Sequence, residues 1–149
     1  MDMRIIIGND HTAVELKQEV LRHLAEKHGI AGADHGAQDR HGPEYPDYAR
    51  DIADRLTSGE FDLGILLCGT GAGMCIAANK KRGIRAVVCS EPYTAQLSRE
   101  HNDANVLCIG ARVVGVELAK LIVDAFLAAE FEGGRHARRV AKITGMEGS

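Results

Sequence analysis

Residues 64–74 read Gly64-Ile65-Leu66-Leu67-Cys68-Gly69-Thr70-Gly71-Ala72-Gly73-Met74. An apolar run ends in a cysteine, and a glycine-rich turn follows at once. The run has the length of a buried strand, and the residues after the turn suit a helix. The stretch therefore reads as a strand, a turn whose backbone N–H groups point outward, and a helix N-terminus. That geometry stabilises anions. It is not a dinucleotide fingerprint, because the third glycine of GxGxxG falls on Met74. Nor is it a Walker A loop, since no Gly-Lys-Ser/Thr follows. Two readings remain on these residues alone. One is a tight turn that merely lets strand and helix pack. The other is an anion cradle beside a thiol: a helix N-terminus favours thiolate, and N–H donors stabilise charge developing on a bound oxygen.

Outward from this stretch the chain alternates between two periodicities. Arg4 to Asp10 reads as a buried strand. Ala13 to His28 carries Leu16, Val20 and Leu24 on one helical face, with Gly29 as its stop. A weak strand lies near Ala31 to Gly36, and Gln38 to Tyr45 is a polar loop. Pro46 suits the first turn of a helix to about Ser58. Phe61 to Cys68 is a strand, and a helix from Ala72 to Lys81 follows the turn. Ile84 to Ser90 is a strand, Pro92 opens a helix to His101, and Asn105 to Gly110 is the last strand. Val116 to Phe131 is helical, Gly133-Gly134 breaks it, and Arg135 to Ile143 is a short final helix. Strands alternating with helices argue for one Rossmann-like α/β domain over residues 1–149. Nearly continuous apolar strands fit a parallel sheet covered on both faces.

Composition narrows the function classes. A chain of 149 residues with 45% hydrophobic and 26% charged content is the size and make-up of one globular domain. The net charge of −3 argues against a nucleic-acid binder. No apolar run approaches membrane-spanning length. The N-terminus runs straight into a strand without signal-peptide architecture, so a cytoplasmic location is expected. Cys68, Cys75, Cys89 and Cys108 form no CxxC pair, and no histidine stands at zinc-finger spacing from them. Cys75, Cys89 and Cys108 read as small buried hydrophobes of a reducing compartment.

In open parallel sheets ligands bind beyond the carboxyl ends of the strands. Those ends carry Asn9-Asp10-His11, Cys68-Gly69-Thr70-Gly71, Ser90-Glu91 and Gly110-Ala111-Arg112. Acid, imidazole, thiol, hydroxyl and guanidinium should thus converge on one rim. A second cluster, Gly133 to Arg139, puts Arg135 and Arg139 on one helical face. In an acidic chain that fits a phosphate, or a solvated basic helix. A third, Glu100-His101-Asn102-Asp103, offers a histidine able to move protons near neutral pH, or an ordinary surface residue.

Together these residues resemble type B ribose-5-phosphate isomerases, within a family that includes galactose-6-phosphate and allose-6-phosphate isomerases. The resemblance rests on Asn9-Asp10-His11, Glu44-Tyr45-Pro46, CGTGAGM (68–74), AANK (77–80), GIRAVVCSEPYTAQLSREHNDANVLCIGARVVG (83–115) and EGGRHARRV (132–140). It covers nearly the whole chain, and residues 84–115 are its most specific part. It implies an α/β/α sandwich around a five-stranded parallel sheet. It implies interconversion of ribose 5-phosphate and ribulose 5-phosphate without a metal or organic cofactor. It also implies dimers, sometimes tetramers, with sites at the subunit interface and the C-terminal helix packing on the partner. Carried across, Cys68 matches the base, and Gly69, Gly71, Ala72 and Gly73 match the anion hole for the enediolate. Thr70 and Asp10 match residues near the sugar hydroxyls. His101 matches the residue that helps open the furanose ring, with Asn102 beside it. His11, Arg112, Arg135, His136 and Arg139 match residues at or near the phosphate, and Tyr45 matches a pocket wall. Position 44 is Glu where the family pattern has Asp. Some relatives carry an acidic base at the position of Cys75; a cysteine at 68 and none of the acid at 75 point to the cysteine branch. The rival within this chemistry is an isomerase of a six-carbon or other aldose phosphate. The rival outside it is a non-catalytic sugar-phosphate-binding protein.

Overall fold

In the computed structural model, which describes residues 3–148, the apolar runs pair as five parallel strands. These are β1 (Ile5–Asn9), β2 (Ala33–Asp34), β3 (Leu63–Cys68), β4 (Ala86–Val88) and β5 (Val106–Gly110). The helices are α1 (Val14–His28), α2 (Tyr45–Thr57), α3 (Ala72–Ala78), α4 (Pro92–Asn102), α5 (Val116–Ala128) and α6 (Arg135–Thr144). A 3-10 turn, His11–Ala13, precedes α1.

The strand order is β2-β1-β3-β5-β4. The chain leaves β3 for the sheet edge, lays down β4, and returns to place β5 between them. Right-handed crossovers decide which face each helix covers. Steps toward β4, through α2 and α3, put helices on one face. Steps in the other sense, through α1 and α4, put them on the opposite face. The two cores follow. Ile5, Ile7, Ile65, Leu67, Leu107 and Ile109 pack with Leu16, Val20 and Leu24 of α1 and Ile122, Val123 and Phe126 of α5. The alternate residues Ile6, Leu66, Cys68, Val106 and Cys108 pack with Ala49, Ile52 and Ala53 of α2 and Met74 and Ala78 of α3. The period-two alternation of side chains along each strand makes this division. Each fully buried Leu or Ile contributes about 1.5–3 kcal/mol.

Several boundaries differ from the sequence reading, three of them instructively. The third helix stops at Ala78 rather than Lys81. Its cap, Asn79, turns its amide onto the edge strand: it accepts from Ala86 N–H at 2.8 Å and donates to Ala86 O at 2.9 Å. The fourth strand shrinks to three residues, and Val88 is 42% exposed. An edge strand has a neighbour on one side only, so two-sided burial fails there. The fifth helix ends at Ala128, where Ala129 turns extended.

Candidate active site

The carboxyl ends of β1, β3 and β5 form one rim. Cys68 closes β3 and is buried, and its Sγ accepts a hydrogen bond from Gly71 N–H at 3.2 Å. The turn folds back on the sulfur because Gly71 has φ +84°, a conformation that costs an L side chain about 1–2 kcal/mol. Thr70 Oγ accepts from Ala72 N–H at 3.2 Å, where α3 begins. The next N–H groups, of Gly73 and Met74, lie in the first turn and have no intrahelical acceptor. Tyr45, the first residue of α2, lies across this turn: a Cβ on Gly73 would stand 2.5 Å from its ring.

Asp10 stands beside the thiol strand, its N–H donating to Leu67 O at 3.1 Å. Its carboxylate is buried and accepts from Thr12 N–H at 3.0 Å and from the Thr12 hydroxyl at 2.5 Å. The turn after β5 brings Arg112 to the same place. Ala111 N–H donates to Cys68 O at 2.8 Å, and Arg112 N–H to Gly69 O at 3.0 Å. A side chain at position 69 would meet the Arg112 guanidinium at 3.6 Å and Thr12 Oγ at 3.9 Å. Glycine there keeps the mouth of the turn open. A cavity of about 810 Å³ lies against His11, Thr12, Asp39, Arg40 and Arg112. A second, of about 480 Å³, is lined by Asp10, His11, Arg40, His41, Glu44 and Tyr45. The two share His11 and Arg40. Two guanidinium groups therefore face a polar hollow beside a carboxylate and the glycine turn, as an anionic, hydroxylated small molecule requires.

Glu91 does not join this rim. It caps α4, accepting from Thr94 N–H at 2.9 Å and from the Thr94 hydroxyl. Its carboxylate is occupied by the helix terminus, the ordinary use of an acid at that position.

A second cluster stands apart. The eleven residues of α4 run back along the sheet, a distance of about 16 Å at 1.5 Å per residue. His101 and Asn102 therefore lie at the opposite edge from Cys68. Glu132 N–H donates to Glu100 O at 3.0 Å and ties the start of the C-terminal segment to this end. The His101 and His136 rings stack there, centroids 4.1 Å apart and planes 6° from parallel. Glu132 Oε1 stands 3.8 Å from His101 Nε2 and 3.5 Å from His136 Nε2. His136 is buried with an Nε2 that has no hydrogen-bond partner among the described residues. Burial first, then His101 and Arg135, hold its pKa below the ordinary histidine value, while Glu132 opposes them. Arg135, Arg138 and Arg139 of α6 are exposed. Asn102 borders a separate hollow with Ile84, Ile143 and Glu147. Among the described residues, no hydrogen bond or ion pair joins this cluster to the thiol rim. The chain alone thus brings together Asp10, His11, Tyr45, Cys68 to Gly73 and Arg112. It leaves His101, Asn102, Arg135, His136 and Arg139 elsewhere.

The remaining thiols are not alike. Cys89 is buried, and that burial pushes its pKa up to about 12. Cys108 is likewise held well above the ordinary value, chiefly by its hydrogen bond to Cys75 and then by burial. Cys75 is half-buried, and the Cys108 thiol bonding to its sulfur lowers its pKa to about 7 against the opposing effect of burial. Cys75 is therefore half-buried, where its apolar surroundings in sequence imply a fully buried filler.

Three residues around the rim have no place in the sequence reading, Thr12, Arg40 and Lys17, and Asn9, expected at the strand end, takes a structural part. Thr12 follows Asp10 at the spacing of an Asx turn, which is a legible signal. Asn9 donates to Asp10 O at 2.8 Å and to Ala37 O at 3.1 Å, pinning the loop that carries Arg40. Lys17 is fully buried, donates to the same Ala37 O at 2.6 Å and pairs with Asp34 at 3.2 Å. A lysine inside the Leu16–Val20–Leu24 stripe is the signal for it. Arg40 sits in a polar loop and has no local signal.

A parallel α/β sheet with a thiol, a glycine turn, a carboxylate and cations around one small polar hollow has the chemistry to receive a small anionic metabolite. The family model described as Ribose/Galactose Isomerase matches residues 5–143. The chain belongs to the ribose/galactose isomerase family, and it is an isomerase. It is 56% identical over 144 residues to ribose-5-phosphate isomerase B of Escherichia coli, covering 97% of this chain and 96% of that one. It is 47% identical over 142 residues to a D-erythrulose-4-phosphate isomerase of Pectobacterium atrosepticum, covering 95% and 93%. Among solved structures, ribose-5-phosphate isomerase B of Mycoplasma genitalium with bound ribulose-5-phosphate superposes with a TM-score of 0.91 at 43% identity, covering 99% and 97%.

Proposed function

We propose that the chain interconverts D-ribose 5-phosphate and D-ribulose 5-phosphate through an enediolate, with Cys68 as the base. The observation that carries this reading is the Cys68 sulfur held by Gly71 N–H at 3.2 Å, on the rim shared with Asp10 and Arg112. The 56% identity to a ribose-5-phosphate isomerase B supports the choice of sugar. A proton alpha to a carbonyl is weakly acidic, so the reaction needs a positioned base and donors for the enediolate oxygens. Cys68 thiolate takes the C2 proton of the open-chain aldose, and the N–H groups from Gly69 to Gly73 receive the charge that develops on O1. A proton passes from the O2 hydroxyl to O1, and the thiol then returns its proton to C1, leaving the carbonyl at C2. The Asp10–Thr12 pair and Thr70 hold the sugar hydroxyls, and Tyr45 forms a wall. No metal or organic cofactor takes part in this scheme.

The phosphate binds at His11 and Arg112 of one protomer. The second cluster is remote from Cys68 in its own chain, which supports a homodimer whose partner completes the site. The partner subunit's His101 and Asn102 then act on ring opening. The partner subunit's Arg135, His136 and Arg139 hold the phosphate and spend that remote binding energy on positioning.

The test is kcat/KM on ribose 5-phosphate, allose 6-phosphate and erythrulose 4-phosphate, for wild type and Cys68→Ala. Ribose 5-phosphate is the expected best substrate. Cys68→Ala should retain substrate binding and lose roughly 10²–10⁴-fold in kcat, the scale of a general base. Full activity in Cys68→Ala would move the base elsewhere and leave the turn as an anion cradle alone. A better six- or four-carbon substrate would keep the chemistry and change the sugar.

A further inference from the structure

At the opposite end of the sheet from Cys68, α1 and α5 share a cluster outside this chemistry. His23 Nε2 and His28 Nε2 each stand 2.7 Å from the same oxygen, Asp124 Oδ1. The two rings are nearly perpendicular, at 80°, with centroids 5.6 Å apart. Lys27 Nζ takes the other oxygen, Oδ2, at 2.6 Å. The three donor atoms His23 Nε2, His28 Nε2 and an Asp124 oxygen all lie within 4.8 Å of one another. The side chains are 13%, 22% and 19% exposed, sheltered but reachable from solvent. His28 also lines a hollow of about 560 Å³ that gives an entry path.

We propose that His23, His28 and Asp124 form a binding site for a borderline divalent transition-metal ion, Zn²⁺ above all. An imidazole nitrogen bonds a metal in the plane of its ring. Two perpendicular rings aimed at one point bring their lone pairs to that point. Two imidazoles and one carboxylate suit Zn²⁺, with Nε2 at about 2.0–2.1 Å and water in the fourth position. A single carboxylate is too few oxygens for Mg²⁺ or Ca²⁺. The ion enters between the rings and Oδ1, which move apart slightly. Each imidazole then carries its proton on Nδ1 and turns the Nε2 lone pair to the metal. Lys27 stays on Oδ2 and orients the carboxylate. Both histidines bind the ion through neutral imidazoles. The other two-histidine group, His101–Glu132–His136, lacks this geometry: its rings are stacked 6° from parallel, so their in-plane lone pairs do not converge.

Bound there, the ion ties α1 to α5 far from the catalytic turn. It stabilises the fold without entering the reaction. The test is titration of the metal-free full chain with Zn²⁺ alone, followed by calorimetry and by thermal unfolding. One ion per chain is expected, with Tm rising by roughly 5–10 °C at a hundredfold excess over Kd. His23→Gln, His28→Gln and Asp124→Asn should each abolish the rise and leave isomerase kcat unchanged. The Co²⁺ form should show an absorption spectrum without a thiolate charge-transfer band. Absence of binding in the wild type, a Tm rise that persists in all three variants, or a thiolate band placing the ion on the cysteines would each overturn the proposal.

Discussion

The thiol rim and the α4–α6 histidine cluster are built by different means. On the rim, backbone does most of the work. Gly71 N–H holds the sulfur, Ala111 and Arg112 N–H groups close onto β3, and Asp10 is fixed by Thr12. Its glycines set the shape, and it too keeps open polar groups: the buried Asn9 Oδ1 has no hydrogen-bond partner among the described residues, and the Gly73 and Met74 N–H groups face the hollow without an intrahelical acceptor. The cluster is made of side chains instead. It stacks two imidazoles, buries an Nε2 without a partner among the described residues, and displays Arg135 and Arg139 on a helix exposed to solvent. A region with an orphaned buried donor or acceptor and unpaired cations is one that a ligand or a second copy completes. Under the proposed function the two are halves of one site on different subunits.

The largest expected effect tests that division directly. Cys68→Ala and Arg135→Ala proteins should each be nearly inactive. Mixed with subunit exchange, they should recover about a quarter of wild-type activity, because half of the dimers are hybrids with one intact site. An assay of mixtures against unmixed controls measures it. No recovery despite confirmed exchange would put both residues in one subunit's site, or remove their roles.

Next is the shape of the rim. Gly73→Ala drives a methyl into the Tyr45 ring, which is exposed enough to yield. Folding should survive, while the displaced wall lowers kcat/KM by roughly 10–100-fold. Unchanged kinetics would detach Tyr45 from the pocket. Smaller in reach is Gly71→Ala. It forces φ +84° on an L side chain and sets a Cβ 2.9 Å from Val88. A loss of about 2 kcal/mol in urea unfolding is expected.

The smallest effect lies in the cluster's response to pH. The folded-state pKa of His136 is depressed, so the native state resists its protonation. Its contribution is fully present above the ordinary histidine value and is lost as pH falls through that value toward the lower folded one. Urea midpoints measured between about pH 7 and pH 5 should fall less steeply for His136→Gln than for wild type. Equal slopes would mean that the imidazole is already solvated, and would remove the orphaned nitrogen from the comparison.

Much of the fold could be read from the chain. The period-two and helical patterns predict the five strands and six α-helices of the described residues, because burial on two sheet faces leaves a strong imprint on sequence. Asp10, Cys68, Thr70 and Arg112 are legible as one rim because strand ends in a parallel sheet share an edge. Thr12 and Lys17 carry local signals, an Asx-turn spacing after Asp10 and a lysine inside an apolar helical stripe. Arg40 left none, since a loop's path depends on what pins it, here Asn9 and Lys17 on Ala37 O.

The sequence by itself determined the elements, the rim's chemistry and the thiol at the glycine turn, since each follows from local spacing and backbone geometry. The tertiary structure alone decided three things. It inserted β5 between β3 and β4, a choice made by crossover direction and long-range packing. It turned Glu91 from a rim residue into a helix cap. It also put His101 and Arg135 about one helix length from Cys68. Distance across a fold depends on how elements return over the sheet, and no local pattern encodes that.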